Sequence, residues 1–458
     1  MLIFKGIDVI VVSGDNEMLK RKMYDFLLEW KKTKNRECLL IKGARQVGKT
    51  FIVQQFAADH YAPENYYELN FLFHPELISI FSSDLDVDEI MLRMSVHFEG
   101  KTCIPGKTLI FLDEIQKCPQ ARTALKAFAL DNRYDVIASG SLLGLHYGQD
   151  EELEEEISSI PVGYERSVKM FPLDFEEFLW SRQTPTAIID RIRTHFTEHT
   201  MVPEDINDLL MNRLREYIVV GGMPKPVQVF VETKNYSEVQ KEQEKILISY
   251  ADDIVRHAPK NEKQKVKKAF DSIPRQLAKE NRKFQYSLVE QRSNARKYES
   301  SIQWLFDSNL AYQCSNLSIP EYPLNAYTRP DYFKLYMNDT GLLTAMYGFE
   351  MKAAVLERTL KGPVKGGIYE NLIACMLMQK GDPLYFYKPD ENDQEIEFII
   401  SRNAQAVPIE VKAKRGETIS LNSFIERRKP AVAYKLIDGN VGKADQKITI
   451  PHYMAMFI

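Results

Sequence analysis

Along the first 140 residues, short apolar runs alternate with longer amphipathic stretches. From Met18 to Lys32 apolar residues recur at helical spacing and end in a basic turn, which predicts a helix with one buried face. ECLLIKG (Glu37 to Gly43) then reads as a buried strand entering a glycine loop. Further short apolar runs follow at YYELNF (from Tyr66), TLIFLDE (from Thr108) and DVIASGS (from Asp135), separated by segments long enough for helices. Strands alternating with helices predict a parallel α/β sheet. After about Asp150 the character changes. EELEEE is an acidic run, and from there to about Gly348 the pattern is mostly helical. A helix around Tyr369 to Lys380 then precedes a return to strands at LYFYK, EIEFII, AVPIEVKA and AVAYKLI. In EIEFII, Glu395 and Glu397 fall on one face and Ile396, Phe398 and Ile400 on the other. A turn at SRNAQ makes this run and AVPIEVKA two adjacent strands of hairpin length.

These shifts divide the chain into an N-terminal extension (1–17), an α/β core (18–160), a helical lid or linker (161–235), a helical middle (236–354) and a C-terminal α/β domain (355–458). A length of 458 residues suits about two to four domains. Hydrophobic content of 44% and charged content of 27% belong to the soluble globular class. The net charge of −4 excludes a generally basic nucleic-acid binder, so any such surface is local. The five scattered cysteines (Cys38, Cys103, Cys118, Cys314, Cys375) form no C-x-x-C pair, which argues against a disulfide framework and for a reducing cytoplasm. The apolar start is short and interrupted by Asp8, unlike a signal peptide. No apolar run reaches the ~20 residues that span a bilayer, so no membrane partner is expected.

The first candidate chemistry lies in the glycine loop. Gly43-Ala44-Arg45-Gln46-Val47-Gly48-Lys49-Thr50 satisfies G-x-x-x-x-G-K-[ST], directly between the strand ECLLIK and the helical FIVQQFAADH. Such a loop wraps backbone N–H groups round the β- and γ-phosphates of ATP at a helix N-terminus. Lys49 reaches the β/γ oxygens, and the Thr50 hydroxyl ligates Mg2+. TLIFLDE ends in Asp113, placed to hold Mg2+ through water, and in Glu114, placed to orient and deprotonate the attacking water. A strand end ahead of Ser139 and Ser141 puts two hydroxyls where one can sense the γ-phosphate, or where both are ordinary turn residues.

IKGARQVGKT, LIFLDEIQKCP, ASGSLLG, FPLDFEEFL, VVGGMP and KLYMNDTGLL occur in this order. From about Leu19 onward the chain thereby resembles a large prokaryotic family of AAA-like ATPases joined to a C-terminal domain of unknown function with a restriction-endonuclease-like core. The resemblance implies an AAA+-type P-loop parallel sheet with a helical lid, ATP hydrolysis, a winged-helix-like middle, and an arginine supplied by a neighbour in a homo-oligomer. Many relatives carry Gly-Arg ahead of the PLxFxEF segment. Here Gly163-Tyr-Glu-Arg166 intervenes, and Arg166 is either that arginine or a solvated or ion-paired one.

Between Arg256 and Lys283 bases greatly outnumber acids. This concentrated basic segment is either a phosphate-contacting surface for DNA or RNA or a solvated helix face. Ile302, Leu305, Phe306 and Leu310 follow at helical spacing, with Ser293 or Asn294 as the cap. His195 and His199 lie four apart, but Phe196 stands where the metalloprotease pattern needs glutamate, so they read as a solvated face.

In VPIEVKAK (Val407 to Lys414), Glu410 and Lys412 share one strand face, as a surface ion pair or as the holders of a cation and a water. Glu397 and, upstream, Glu370 at the opening of a helix after Gly366-Gly367 can converge on them. Three carboxylates and a lysine resemble the site of the PD-(D/E)xK nucleases. That resemblance implies Glu397 and Glu410 as ligands of Mg2+ or Mn2+, hard cations that prefer oxygen. It makes Lys412 the group that positions or deprotonates water, and Glu370 a group that shapes the site or binds a second metal. The chain departs from it at Glu397, where relatives often have aspartate, and misplacing a metal by ~1 Å costs ~10²-fold in rate.

Overall fold

The structure is a computed structural model that describes residues 18–33, 37–141, 163–389, 394–412 and 418–458. The extension expected at 1–17, the EELEEE run, the boundary at 160 and Lys414 lie outside the described residues.

Five strands form the first sheet: β1 (Cys38–Gly43), β2 (Tyr66–Asn70), β3 (Leu109–Asp113), β4 (Asp135–Ser141) and β5 (Glu165–Lys169), in the order β2-β3-β4-β1-β5. All its pairings are parallel. Alternate side chains of the inner strands enter two separate cores. Leu39, Ile41, Leu109, Phe111 and Ile137 join one, while Leu40, Ile110, Leu112, Val136 and Ala138 join the other. Burial on both faces is why these strands are apolar throughout. β5 is different. Its sequence ERSVK is half exposed at the sheet edge, so it carries no apolar run by which to be recognised.

The second sheet has eight strands: β6 (Ala311–Leu317), β7 (Thr328–Met337), β8 (Leu384–Tyr387), β9 (Ile396–Arg402), β10 (Gln405–Val411), β11 (Ala433–Ile437), β12 (Gly442–Ala444) and β13 (Lys447–Pro451), in the order β12-β13-β11-β10-β9-β8-β6-β7. Helices Lys263–Asp271, Ile273–Leu277 and Ala295–Asp307 lead into the β6–β7 hairpin, and Asn294 caps the last of them by accepting from the Lys297 N–H at 3.2 Å. The far edge of β6 pairs in parallel with β8. One sheet therefore runs across the boundary expected at 354–355, and the hairpin is part of it rather than a separate wing.

The β9–β10 turn is the two-residue loop Asn403-Ala404, both left-handed at φ 51° and 57°, the geometry that matches strand twist in a tight hairpin. The alternation expected in EIEFII fails at one place. Tyr385 pairs with Ile399 but Tyr387 with Ile396, which leaves one extra residue on β9. This bulge puts Ile396 in the same apolar cluster as Ile399 and Phe424, apart from Phe398 and Ile400. Bulges re-aim side chains near sites, and this one lies at Glu397.

One apolar core extends from Leu39 and Ile41 of the first sheet through the helices to Ile409 and Ile450 of the second. Its junction is built from VVGGMP, FPLDFEEFL and KLYMNDTGLL. Gly222 of the first donates its N–H to Asp339 Oδ2 at 2.6 Å, and the Leu173 N–H donates to the Gly222 carbonyl at 2.6 Å. A Cβ at Gly222 would lie 2.1 Å from the Leu173 carbonyl oxygen, so only glycine admits this approach. All five cysteines are free. Among the described residues no helix is long and apolar enough to cross a membrane.

Candidate functional site

β1 ends at Gly43, and the loop turns at Gly48 (φ 93°), the N-cap of helix Lys49–His60. Lys49 is almost wholly buried, and its Nζ donates to the carbonyls of Gly43 (3.1 Å) and Ala44 (3.0 Å). Burial lowers its pKa, with Glu114 and Asp113 opposing. The Thr50 hydroxyl donates to Asp113 Oδ2 at 2.9 Å, Asn70 Nδ2 donates to the same oxygen at 2.9 Å, and the Ser139 hydroxyl donates to Oδ1. Burial raises the Asp113 pKa against the hydrogen bonds from Ser139 and Thr50. Ser139 is thus buried against Asp113. Glu114 is left-handed (φ 55°), and its carboxylate accepts from Gln116 Nε2 at 2.5 Å, a nitrogen that also reaches the Ser141 hydroxyl at 3.4 Å. A left-handed non-glycine residue costs ~1–3 kcal/mol, and the conformation places this carboxylate beside the loop. Lys49, Thr50, Asp113, Glu114, Ser139 and Ser141 therefore gather in one place, with Asn70 and Gln116 added.

Three braces on the loop are not visible in the motif. Buried Arg21 donates to the Val47 carbonyl at 3.1 Å, to the Phe171 carbonyl at 2.7 Å and to Glu177 at 3.2 Å. Glu177 in turn belongs to the capping box with Asp174 that opens helix Phe175–Ser181, which explains the FPLDFEEF segment. Burial raises the Glu177 pKa against the opposing charge of Arg21. On the other side, Arg45 pairs with Asp253, and Gln46 donates to the Ser249 hydroxyl at 2.8 Å. Both partners lie on helix Tyr236–His257. Arg166 sits on edge strand β5, exposed, with its guanidinium 4.9 Å from the centre of the Phe26 ring. His195 lies in the last turn of helix Thr186–Glu198 and contacts the Thr200 hydroxyl at 2.8 Å, while His199 is the left-handed C-cap beyond it, so the two share no helix face.

In the second sheet, Lys412 Nζ lies 3.1 Å from Glu410 Oε1 and 3.7 Å from Glu397 Oε1. Glu397 Oε2 accepts the Val411 N–H at 3.2 Å. Burial, with Glu370 and Glu410 nearby, pushes the Glu397 pKa up to about 8 against Lys412. Glu410 is fully buried, and beyond the ion pair neither oxygen has a hydrogen bond. Burial raises its pKa too. Burial alone would lower the Lys412 pKa, but Glu397 and Glu410 raise it.

Glu370 behaves otherwise. Its helix begins at Gly362, so Glu370 lies in the helix interior rather than at the opening. Gly366-Gly367 serves close packing instead, because a Cβ at Gly367 would lie 2.1 Å from the Leu277 carbonyl oxygen. Glu370 accepts from Arg282 at 2.7 Å, the Tyr336 hydroxyl at 3.0 Å and Lys334 at 3.4 Å, and Lys334 also pairs with Glu395. Burial would raise its pKa, but Arg282 and Lys334 bring it below the usual value. The basic segment is thereby split. Arg282 turns inward to Glu370, whereas Arg256, Lys260, Lys267, Arg275 and Lys279 are exposed. Among the described residues no group of three or more His, Cys, Asp or Glu side chains is gathered for a metal. The unbonded oxygens of buried Glu410 are nevertheless a donor type that fits a hard divalent cation, as is the Thr50–Asp113 pair.

A parallel 2-3-4-1-5 sheet with a glycine-lysine loop after its first strand and an acidic pair after its third defines a P-loop nucleotide-binding domain. Residues 35–179 match the family described as an AAA domain, and this part of the chain is an AAA-type P-loop ATPase domain. Residues 211–353 and 365–453 match two domains of unknown function, DUF8612 and DUF4143. The break between them falls near 355, inside the stretch that the second sheet bridges. No curated protein matches the chain. Among solved structures, a Walker-type ATPase of Pyrococcus abyssi is 12% identical, with 72% of this chain and 96% of that one covered at a TM-score of 0.40. The Orc1 protein of Aeropyrum pernix in complex with DNA is 13% identical (74% and 92% covered, TM-score 0.27). AMPPCP-bound DnaA from Aquifex aeolicus is 12% identical (62% and 86%, TM-score 0.27).

Proposed function

We propose that the protein binds ATP in the loop Gly43–Thr50 and hydrolyses it with Mg2+. The observation that carries this is the contact of the Thr50 hydroxyl with Asp113 at 2.9 Å beside buried Lys49, a Mg2+ and phosphate-binding pair in register. Thr50 and Asp113 would hold the cation, which neutralises charge on the β- and γ-phosphate oxygens. Lys49 leaves its two loop carbonyls for phosphate oxygens. Glu114, held by Gln116, orients the attacking water and accepts its proton. Lys49→Ala should abolish nucleotide binding and Glu114→Gln should retain bound ATP while stopping turnover, both read by nucleotide titration and phosphate release. Unchanged turnover in both variants overturns the reading.

A second reading concerns the second sheet. The buried carboxylate of Glu410, with no hydrogen bond beyond its ion pair with Lys412, beside Glu397 favours metal-dependent cleavage of DNA or RNA, with Mg2+ or Mn2+ held by Glu397 and Glu410 and water positioned by Lys412. Glu370 shapes the site there rather than holding a second metal, since Arg282 and Lys334 occupy its oxygens and neutralise its charge. That same neutralisation supports the rival, a nucleotide-gated switch whose nuclease-like site is silent. Cleavage of single- or double-stranded substrate that disappears in Lys412→Ala decides for the nuclease. Intact substrate with a single slow ATP turnover decides for the switch.

A further inference from the structure

On the side of the second sheet covered by helix Ile419–Arg428, a cleft of about 370 Å³ opens between β7, the end of β8 and that helix. Arg329, Lys388, Arg427 and Arg428 line it together with the hydroxyls of Ser420 and Ser423. No aspartate or glutamate is among the described residues that line it. Four cations thus line one cleft of a chain in which acids outnumber bases, 64 to 60; Asp390, Glu391 and Asp393, between two of its lining residues, lie outside the described residues. Arg428 is paired at 2.7 Å with Glu321, a residue outside the cleft lining, and Arg329 lies 5.7 Å from the Tyr332 ring; these contacts orient two of the cations. Tyr387 supplies aromatic surface in the wall, backed edge to face at 5.9 Å by the buried ring of Phe424. Ile396 also lines the cleft, and the next residue, Glu397, begins the carboxylate pair. The bulge in β9 is what puts Ile396 on this side.

We propose that this cleft seats the sugar–phosphate backbone of single-stranded nucleic acid and passes it to the edge of the Glu397–Glu410–Lys412 site. Arginine and lysine neutralise phosphates, serine hydroxyls donate to phosphate oxygens, and the ring of Tyr387 stacks a base; together these are the parts of a strand-tracking groove. The volume of about 370 Å³ is at the small end of binding pockets, room for a nucleotide of a single strand at a time. The inference rests on the nucleic-acid-directed reading of the second sheet, but binding without cleavage supports the cleft and leaves only the chemistry refuted.

The test is fluorescence anisotropy of a short labelled oligothymidylate with the full chain, over a series of salt concentrations. Arg427→Glu and Ser423→Glu should each weaken binding about tenfold or more. Arg427→Glu should also flatten the log–log salt slope by about 0.7 for each phosphate that is no longer neutralised. Both variants should keep wild-type ATP turnover, which shows that they fold. Unchanged affinity and slope in both variants overturn the proposal. So does displacement of the strand by inorganic pyrophosphate at equal phosphate concentration, which would make the cleft a site for a small soluble anion.

Discussion

Buried charge at single residues is distributed by whether a partner was available. Lys352 is fully buried, donating to the Val219 carbonyl at 2.7 Å and to Gln243 Oε1 at 2.6 Å. Both partners are neutral, and burial pulls its pKa down to about 7 with Asp339 opposing. An unfolded lysine titrates near 10.4. Between about pH 7 and that value the unfolded chain holds a proton that the folded chain has released, so stability should rise with pH across this window and be lost as pH falls through 7. The rise is worth up to about 1.4 kcal/mol per pH unit. Lys352→Met should flatten it, and melting both proteins at pH 7 and pH 9 checks this; parallel changes would refute the assignment. Of the site residues, Gly43 to Thr50 and the Asp113-Glu114 pair are legible in the sequence because each is a contiguous run whose order is dictated by the phosphate it fits. Arg21, Asp253 and Arg282 are not. Their partners lie 26 to 208 residues away, and no local pattern distinguishes a basic or acidic residue that turns inward from one that stays in water.

At the scale of elements, apolar runs announce the strands with two covered faces and miss those without. β1, β3 and β4 follow their apolar runs, while β5 and β12 are polar edges whose place is set by their neighbours. Periodicity also fails at the β9 bulge, because one inserted residue inverts the alternation of a regular strand. The helix Gly362–Gln379 shows two local rules in opposition. Glycines should weaken a helix by about 1 kcal/mol each relative to alanine, yet Gly367 lies against the Leu277 backbone. A backbone carbonyl cannot move aside as a side chain can, so crowding outweighs propensity. Gly367→Ala should cost about 1–3 kcal/mol, seen as a lower urea midpoint at unchanged slope. A variant as stable as wild type would show that the helix can shift.

Over the whole molecule, the phosphate loop and the second sheet are joined by helix Tyr236–His257, whose Ser249 and Asp253 hold Gln46 and Arg45. The Tyr250 hydroxyl of the same helix accepts from Asn338 at 3.3 Å, just after β7. Side-chain contacts thus run from the phosphate loop through this helix to the end of β7. Asp253→Ala should weaken ATP binding several-fold, about 1 kcal/mol for a pair whose arginine is one-third exposed, with little loss of thermal stability; nucleotide titration calorimetry reads it, and unchanged affinity would leave the contact without a role in binding. The sheet that crosses the 354–355 boundary carries a further consequence for how the chain is made. On the ribosome, β6 and β7 emerge well before β8, and β11 and β13 come last of all. Until β8 appears, the hairpin presents an open β6 edge, the kind of template that invites pairing with another chain. Synthesis of β8 is what closes that edge, and a fragment cut at the boundary between the two family matches would carry it permanently.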